Sequence, residues 1–79
     1  MHSHYRQSKI DALDVIKDWN LNFIEGNIIK YLQRHKLKNG QEDLTKCLWY
    51  ICYLITEDRR RSDKIVELLL DGERWREHE

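Results

Sequence analysis

The chain has no proline, three glycines, two cysteines and no apolar run longer than a few residues. Without proline, and with little glycine, the sequence fits a collagen-like or disordered protein poorly and suits helices. The short apolar runs exclude a membrane-spanning segment. Cys47 and Cys52 lie on one predicted helix and point about 140° apart, so we expect reduced packing residues and neither a disulfide nor a zinc site.

The chain also lacks net charge, because 14 Lys and Arg residues balance 14 Asp and Glu residues. This balance argues against nucleic-acid binding by bulk electrostatics, so we expect no nucleic-acid partner. A local basic patch is still compatible with zero net charge. The N-terminal residues show no secretory signal pattern, which favours a cytosolic protein. The residues present are 35% charged and 41% hydrophobic, a mixture typical of amphipathic helices.

Apolar periodicity predicts an all-α fold, a small bundle of about four helices with a central antiparallel helical hairpin. The expected helices cover about 9–19, 23–38, 41–57 and 62–71, within a single domain of residues 1–79 that has a polar leader at 1–7 and a frayed tail at 73–79. Ser8 followed by Asp11 predicts the first cap, and Ser62 with Asp63 predicts the start of the last helix. The arginines at 59–61 are expected in a solvated interhelical turn.

Two polar stripes with the same i, i+3, i+7 spacing lie on the second and third predicted helices. If these helices form a hairpin, the stripes face one groove, which the N-terminal residues could close. Lys, Arg, Asn and Tyr side chains converging on a groove suit an anionic ligand such as a nucleotide phosphate. The candidate ligand-binding residues are His4, Tyr5, Asn27, Lys30, Arg34, Asp43, Lys46 and Tyr50. In the alternative, Asp43 pairs with Lys30 or Arg34 and only pins the hairpin.

The third predicted helix is apolar on two sides, because Trp49 and Tyr53 lie roughly opposite its aliphatic stripe. A chain of 79 residues has little surface with which to cover both sides. We therefore expect Trp49 and Tyr53 to form an interface in a homo-oligomer or with another protein. The alternative is a central buried helix.

Several strings resemble a phage family: HY near the start, IKDW-x-L-x-F-x-x-GN-x-x-KYL-x-R, and EDL-x-K-x-x-WY. Together they resemble the SaV-like family of small bacteriophage proteins, a domain of unknown function that is sometimes labelled "nucleotide kinase". The resemblance covers about residues 4–55. It implies a phage origin, an all-helical domain and a location in the host cytoplasm.

No catalytic machinery is evident in the sequence. A P-loop enzyme needs G-x-x-x-x-G-K-[ST], which is absent, and Lys46 stands where a metal-binding acid would be needed. We therefore assign no catalytic residue, metal or cofactor, and predict a non-catalytic phage accessory protein. It would bind a phosphate-bearing, nucleotide-like ligand or a host protein to counter host defence. The alternatives are a metal-dependent enzyme resembling a nucleotide pyrophosphohydrolase, or a DNA-interacting helical protein.

Overall fold

The computed structural model describes residues 10–37 and 40–70, which form four α-helices and no strand. The helices are α1 at Ala12–Asp18, α2 at Phe23–Arg34, α3 at Gly40–Thr56 and α4 at Arg59–Leu69. Helix α3 packs against both α2 and α4, and α1 packs against α2. The predicted all-α bundle around an α2–α3 hairpin is confirmed. The predicted leader at 1–7 and tail at 73–79 lie outside the described residues, and the single-domain assignment stays a prediction.

Reciprocal capping boxes start the first two helices. The Asp11 carboxylate accepts a hydrogen bond from the Asp14 backbone N–H, and the Asp14 carboxylate accepts one from the Asp11 N–H, both at 3.0 Å. Asn22 and Glu25 repeat the exchange at 2.8 and 2.9 Å. Because Asp11 is the cap, α1 begins three residues later than the predicted start at residue 9.

Helix α4 begins earlier than the sequence predicted. Asp58 caps it by accepting a hydrogen bond from the Arg61 N–H at 3.1 Å, and the buried Ser62 hydroxyl donates to the Asp58 carbonyl oxygen at 2.9 Å. The predicted start at Ser62 and Asp63 is therefore wrong, and Arg59, Arg60 and Arg61 form the first turn of α4. The break between α3 and α4 falls instead at Glu57, whose φ of 55° is left-handed.

Helix α2 ends earlier than predicted. It stops at Arg34, and the Leu37 N–H donates to the Arg34 carbonyl oxygen at 2.9 Å in a tighter turn. The expected end near residues 38–40 is thus late by about one turn.

The buried apolar part of the described chain is small. It consists of Cys47, Cys52 and Val66, and the Cys52–Val66 contact is surrounded by half-buried apolar side chains of α3 and α4. Both thiols are free and buried, as the sequence predicted. The Cys47 thiol also points at the Ile28 carbonyl oxygen across the α2–α3 contact, at 3.6 Å. The hairpin thus packs closely around few apolar groups.

Candidate anion-binding site

An ion pair joins the two helices of the central hairpin. Arg34, in the last turn of α2, donates from Nε to Oδ2 of Asp43, in the first turn of α3, at 3.1 Å. The Asp43 side chain is 0% exposed and the Arg34 side chain 34% exposed. The sequence left open whether Asp43 pairs with Lys30 or with Arg34, and the structure selects Arg34.

The other oxygen of this carboxylate is unusual. Oδ1 of Asp43 is buried and has no hydrogen-bond partner within residues 10–37 and 40–70. A buried acceptor without a partner costs about 1–3 kcal/mol, so such atoms are rare and need an explanation. Asp43 therefore fixes Arg34 with one oxygen and keeps acceptor capacity on the other.

Three cationic side chains surround the ring of Tyr31. Lys30 Nζ lies 4.6 Å from the ring centroid, Lys46 Nζ 5.4 Å and Arg34 Cζ 5.5 Å. Because all three lie so close to one ring centroid, no two of these atoms are more than about 11 Å apart. Lys46 comes from α3, and Lys30 and Arg34 come from α2. Among the described residues, Arg34 is the one of the three with an ion-pair partner. With Asp43 included, the cluster carries a local charge of +2 within a chain of zero net charge.

Aromatic rings continue from this cluster along α3. Tyr50 stacks on Tyr31 with centroids 6.1 Å apart, Trp49 meets Tyr50 edge-on at 5.2 Å, and Tyr53 stacks on Trp49 at 5.6 Å. Trp49 also donates from Nε1 to Oδ1 of Asp63 on α4 at 2.8 Å. Both Trp49 and Tyr53 thus have partners within the chain, and the interface assigned to them stays a prediction.

The predicted site residues do not all meet in one place. Lys30, Arg34, Asp43 and Lys46 lie together, with Tyr50 beside them through Tyr31. Asn27 is buried and donates from Nδ2 to the Phe23 carbonyl oxygen at 3.0 Å, so its amide serves α2 itself. The remaining candidates, His4 and Tyr5, lie outside the described residues.

The sequence does not single out Tyr31, the centre of the cluster, because its position fits the apolar face of α2. The available signal was its place between Lys30 and Arg34 on one helix, with Lys46 on the helix predicted to pair with it.

A groove of about 400 Å³ opens beside Lys30 and Arg34, between α1 and α2. Its volume lies in the range of small-molecule sites. The Gln33 side-chain oxygen accepts a hydrogen bond from the Ala12 backbone N–H at 3.1 Å, which joins the two walls of the groove. Because the oxygen is the acceptor, the NH₂ group of the same amide remains as a donor. The lining residues are Asp11, Ala12, Leu13, Ile16, Lys30, Gln33 and Arg34.

Within the described part of the chain, no three His, Cys, Asp or Glu side chains are grouped so that they could hold a metal ion. In the same residues, no helix is both long enough and apolar enough to cross a bilayer.

Comparison with known proteins assigns a family but no activity. Residues 2–52, about two thirds of the chain, match the model of the DUF3310 family, described as proteins of unknown function. The chain belongs to the DUF3310 family. No curated protein and no solved structure is significantly similar to it. The match ends within α3, so it includes α1, α2, Lys46 and Asp43, and every side chain of the Tyr31 cluster is part of the family region.

Proposed function

We propose that this DUF3310 protein binds a phosphate-bearing, nucleotide-like ligand and does so without catalysing a reaction. The observation that carries the proposal is the convergence of Lys30, Arg34 and Lys46 on Tyr31, where Asp43 is the one carboxylate paired with them among residues 10–37 and 40–70. Three cations held close together repel one another, so an anion bound among them relieves that repulsion. Phosphate oxygens are strong acceptors for the ammonium and guanidinium donors.

Arg34 is pre-organised for such a ligand. Asp43 contacts Nε of the guanidinium, and the two Nη groups lie at the other end of the same planar fork. A side chain already fixed on one edge loses less conformational entropy when its other edge meets a phosphate.

The α1–α2 groove supports the nucleotide-like part of the proposal. It lies next to Lys30 and Arg34, and its walls combine aliphatic side chains with the Gln33 amide donor. A base or sugar could occupy this groove while its phosphate meets the lysines.

The state of Asp43 favours binding over catalysis. One oxygen of this carboxylate is committed to Arg34 and the group is fully buried, so it is poorly placed to take a proton from a water or hydroxyl nucleophile. The wider role in this proposal, a bacteriophage accessory protein that acts against a host defence, depends on the sequence resemblance.

Calorimetric titration of the full chain with nucleoside mono-, di- and triphosphates and with inorganic pyrophosphate tests the proposal. Lys46→Gln should weaken binding of the best ligand about ten- to hundredfold, the usual effect of losing one charge-assisted hydrogen bond. Lys64→Gln is the matched control, because Lys64 is an exposed lysine on α4 and its loss changes net charge equally.

Three outcomes contradict the proposal. Failure of every ligand to bind at millimolar concentration removes the site. Equal weakening by Lys46→Gln and Lys64→Gln shows a non-specific charge effect. Chromatography of the same mixtures that reveals hydrolysis or phosphate transfer replaces the binding role with the enzyme alternative.

A further inference from the structure

Seven large aliphatic side chains of α2, α3 and α4 are exposed, from 38% for Leu44 to 78% for Ile55. Five of them share one surface, which we call the aliphatic face; its members are Leu32, Leu44, Ile51, Ile55 and Leu69. Leu54 lies only about 80° around α3 from Lys46, and Leu68 points away from α3, so neither belongs to this face. Its exposure is out of proportion to the buried apolar part of the described chain, which contains no Leu, Ile or aromatic side chain.

These residues share one side of the molecule, as helix geometry shows. On α3, the positions of Leu44, Ile51 and Ile55 lie about 140–180° around the helix from Lys46. On α2, Leu32 lies about 160° from Lys30. Since α3 is flanked by α2 and α4, the aliphatic face lies on the side opposite the Tyr31 cluster.

Helix α4 continues this surface. Asp63 binds Trp49, which fixes the side of α4 that faces the aromatic row. The fully buried Val66 faces α3, and Asp63 and Leu69 lie about 60° from it in opposite directions around α4. Leu69 therefore extends the aliphatic face beyond α3, whereas Leu68, about 160° from Val66, points away from α3.

The sequence spacing of the α3 stripe suits a helical partner. Leu44, Leu48, Ile51 and Ile55 follow one another at intervals of four, three and four residues, which is the a/d spacing of a coiled-coil seam. Leu48 is half-buried and packs against the Cys52–Val66 contact, at the edge of the stripe nearest the core. No charged residue occupies these positions, so two copies of the stripe can meet without like-charge repulsion.

The area of the face suits self-association. Its five residues, 38–78% exposed, present on the order of 500 Å² of surface, which is toward the upper end of the patches found on monomers. A standard interface buries about 800 Å² per partner with a polar rim, and an apolar centre of this size fills most of it. Small domains with little internal core commonly gain burial in this way.

We propose that two copies of this chain form a dimer through the aliphatic face, with α3 of one protomer packed against α3 of the other about a twofold axis. Ile51 and Ile55 occupy the centre of this contact. The interface is distinct from the one predicted at Trp49 and Tyr53, which lies on the aromatic side of α3.

Light scattering on the full chain across 1–200 µM tests the proposal, with a dimer expected at about twice the monomer mass of 9.7 kDa. Ile51→Glu and Ile55→Glu should each raise the dimer dissociation constant at least a hundredfold, since each places a charge at the centre of an apolar contact. Leu13→Glu on α1 is the matched control, because Leu13 is also exposed and lies outside the face.

Circular dichroism separates dissociation from unfolding, and the already exposed Ile55 gives a variant that should fold even if Ile51→Glu does not. Supporting results are a dimeric wild type and control with monomeric, helical Ile55→Glu protein. A monomeric wild type at 200 µM overturns the proposal. So does dissociation by Tyr53→Glu with no effect of Ile55→Glu, which would place the interface on the aromatic side.

Discussion

Breaking the Arg34–Asp43 pair from either side should have unequal effects on the free energy of unfolding. Arg34→Ala leaves a fully buried carboxylate with no hydrogen-bond partner among the described residues. Asp43→Asn keeps an amide oxygen that accepts from Arg34 Nε, and places an NH₂ group where Oδ1 already has no partner. Asp43→Asn therefore keeps the hydrogen bond to Arg34 and removes only the negative charge of its acceptor.

The magnitudes follow from burial. Removing one partner of a fully buried ion pair costs about 3–5 kcal/mol. Because the Arg34 side chain is 34% exposed, water screens the pair, and we expect about 2–3 kcal/mol for Arg34→Ala. Asp43→Asn should cost about 1 kcal/mol, the difference between a charged and a neutral hydrogen bond. For a domain of this size, the first change should lower Tm by about 10–20 °C.

Urea unfolding followed by circular dichroism, at one fixed protein concentration, measures both costs. Arg60→Ala is the control, because Arg60 is exposed in α4 and its loss should stay within about 0.5 kcal/mol. The reasoning is refuted if Arg34→Ala behaves like this control, or if Asp43→Asn is the more damaging of the two pair variants.

Three further predictions test the fold. Glu57→Gly should stabilise by about 1 kcal/mol in urea unfolding because its φ is 55°, whereas Glu67→Gly, within α4, should destabilise by about the same amount. Burial raises the pKa of the Cys47 and Cys52 thiols, so iodoacetamide should label them slowly until urea unfolds the chain. The folded thiols keep protons that unfolded ones release, so stability should fall as pH rises above about 8.5, and less so when both are alanine. Gly26→Val should cost about 1–3 kcal/mol, since an added Cβ already lies 3.3 Å from an α1 methyl group, while Gly26→Ala should stay within about 1 kcal/mol.

The number and type of helices were predictable because apolar periodicity is a property of each segment by itself. Helix ends were less so, and α4 shows why. Ser62 and Asp58 are both good capping residues, and the apolar residues that follow Ser62 favoured it. In the structure Ser62 is fully buried against α3, where its hydroxyl also lies 3.3 Å from the Thr56 hydroxyl, so packing decides the start of α4.

The candidate site was predictable as a set of cations, but not as a geometry. Spacing on α2 and α3 places Lys30, Arg34 and Lys46 near one another, and the same spacing allows an ion pair between Asp43 and Lys30 or Arg34. The role of Tyr31 depends on the rotation of α2 against α3, which spacing within one helix does not determine. The same rotation leaves Leu44 and Ile51 exposed and directs the cations to the other side.

The proposed ligand site and the proposed dimer face lie on opposite sides of α3, so the two should act independently. Lys46 and Ile51 are five residues apart on α3 and so lie about 140° around the helix from each other. A dimer formed through Ile51 turns the two Tyr31 clusters outward, on opposite surfaces, where one phosphate cannot reach both. Ligand affinity should then be independent of protein concentration, because dimerisation neither builds nor blocks the site. Equally, Ile55→Glu should leave the ligand dissociation constant unchanged, and Lys46→Gln should leave the dimer intact. A titration in which Ile55→Glu abolishes ligand binding in a folded monomer would show that the site needs the second copy, and the placement of the two faces on opposite sides of α3 would be wrong.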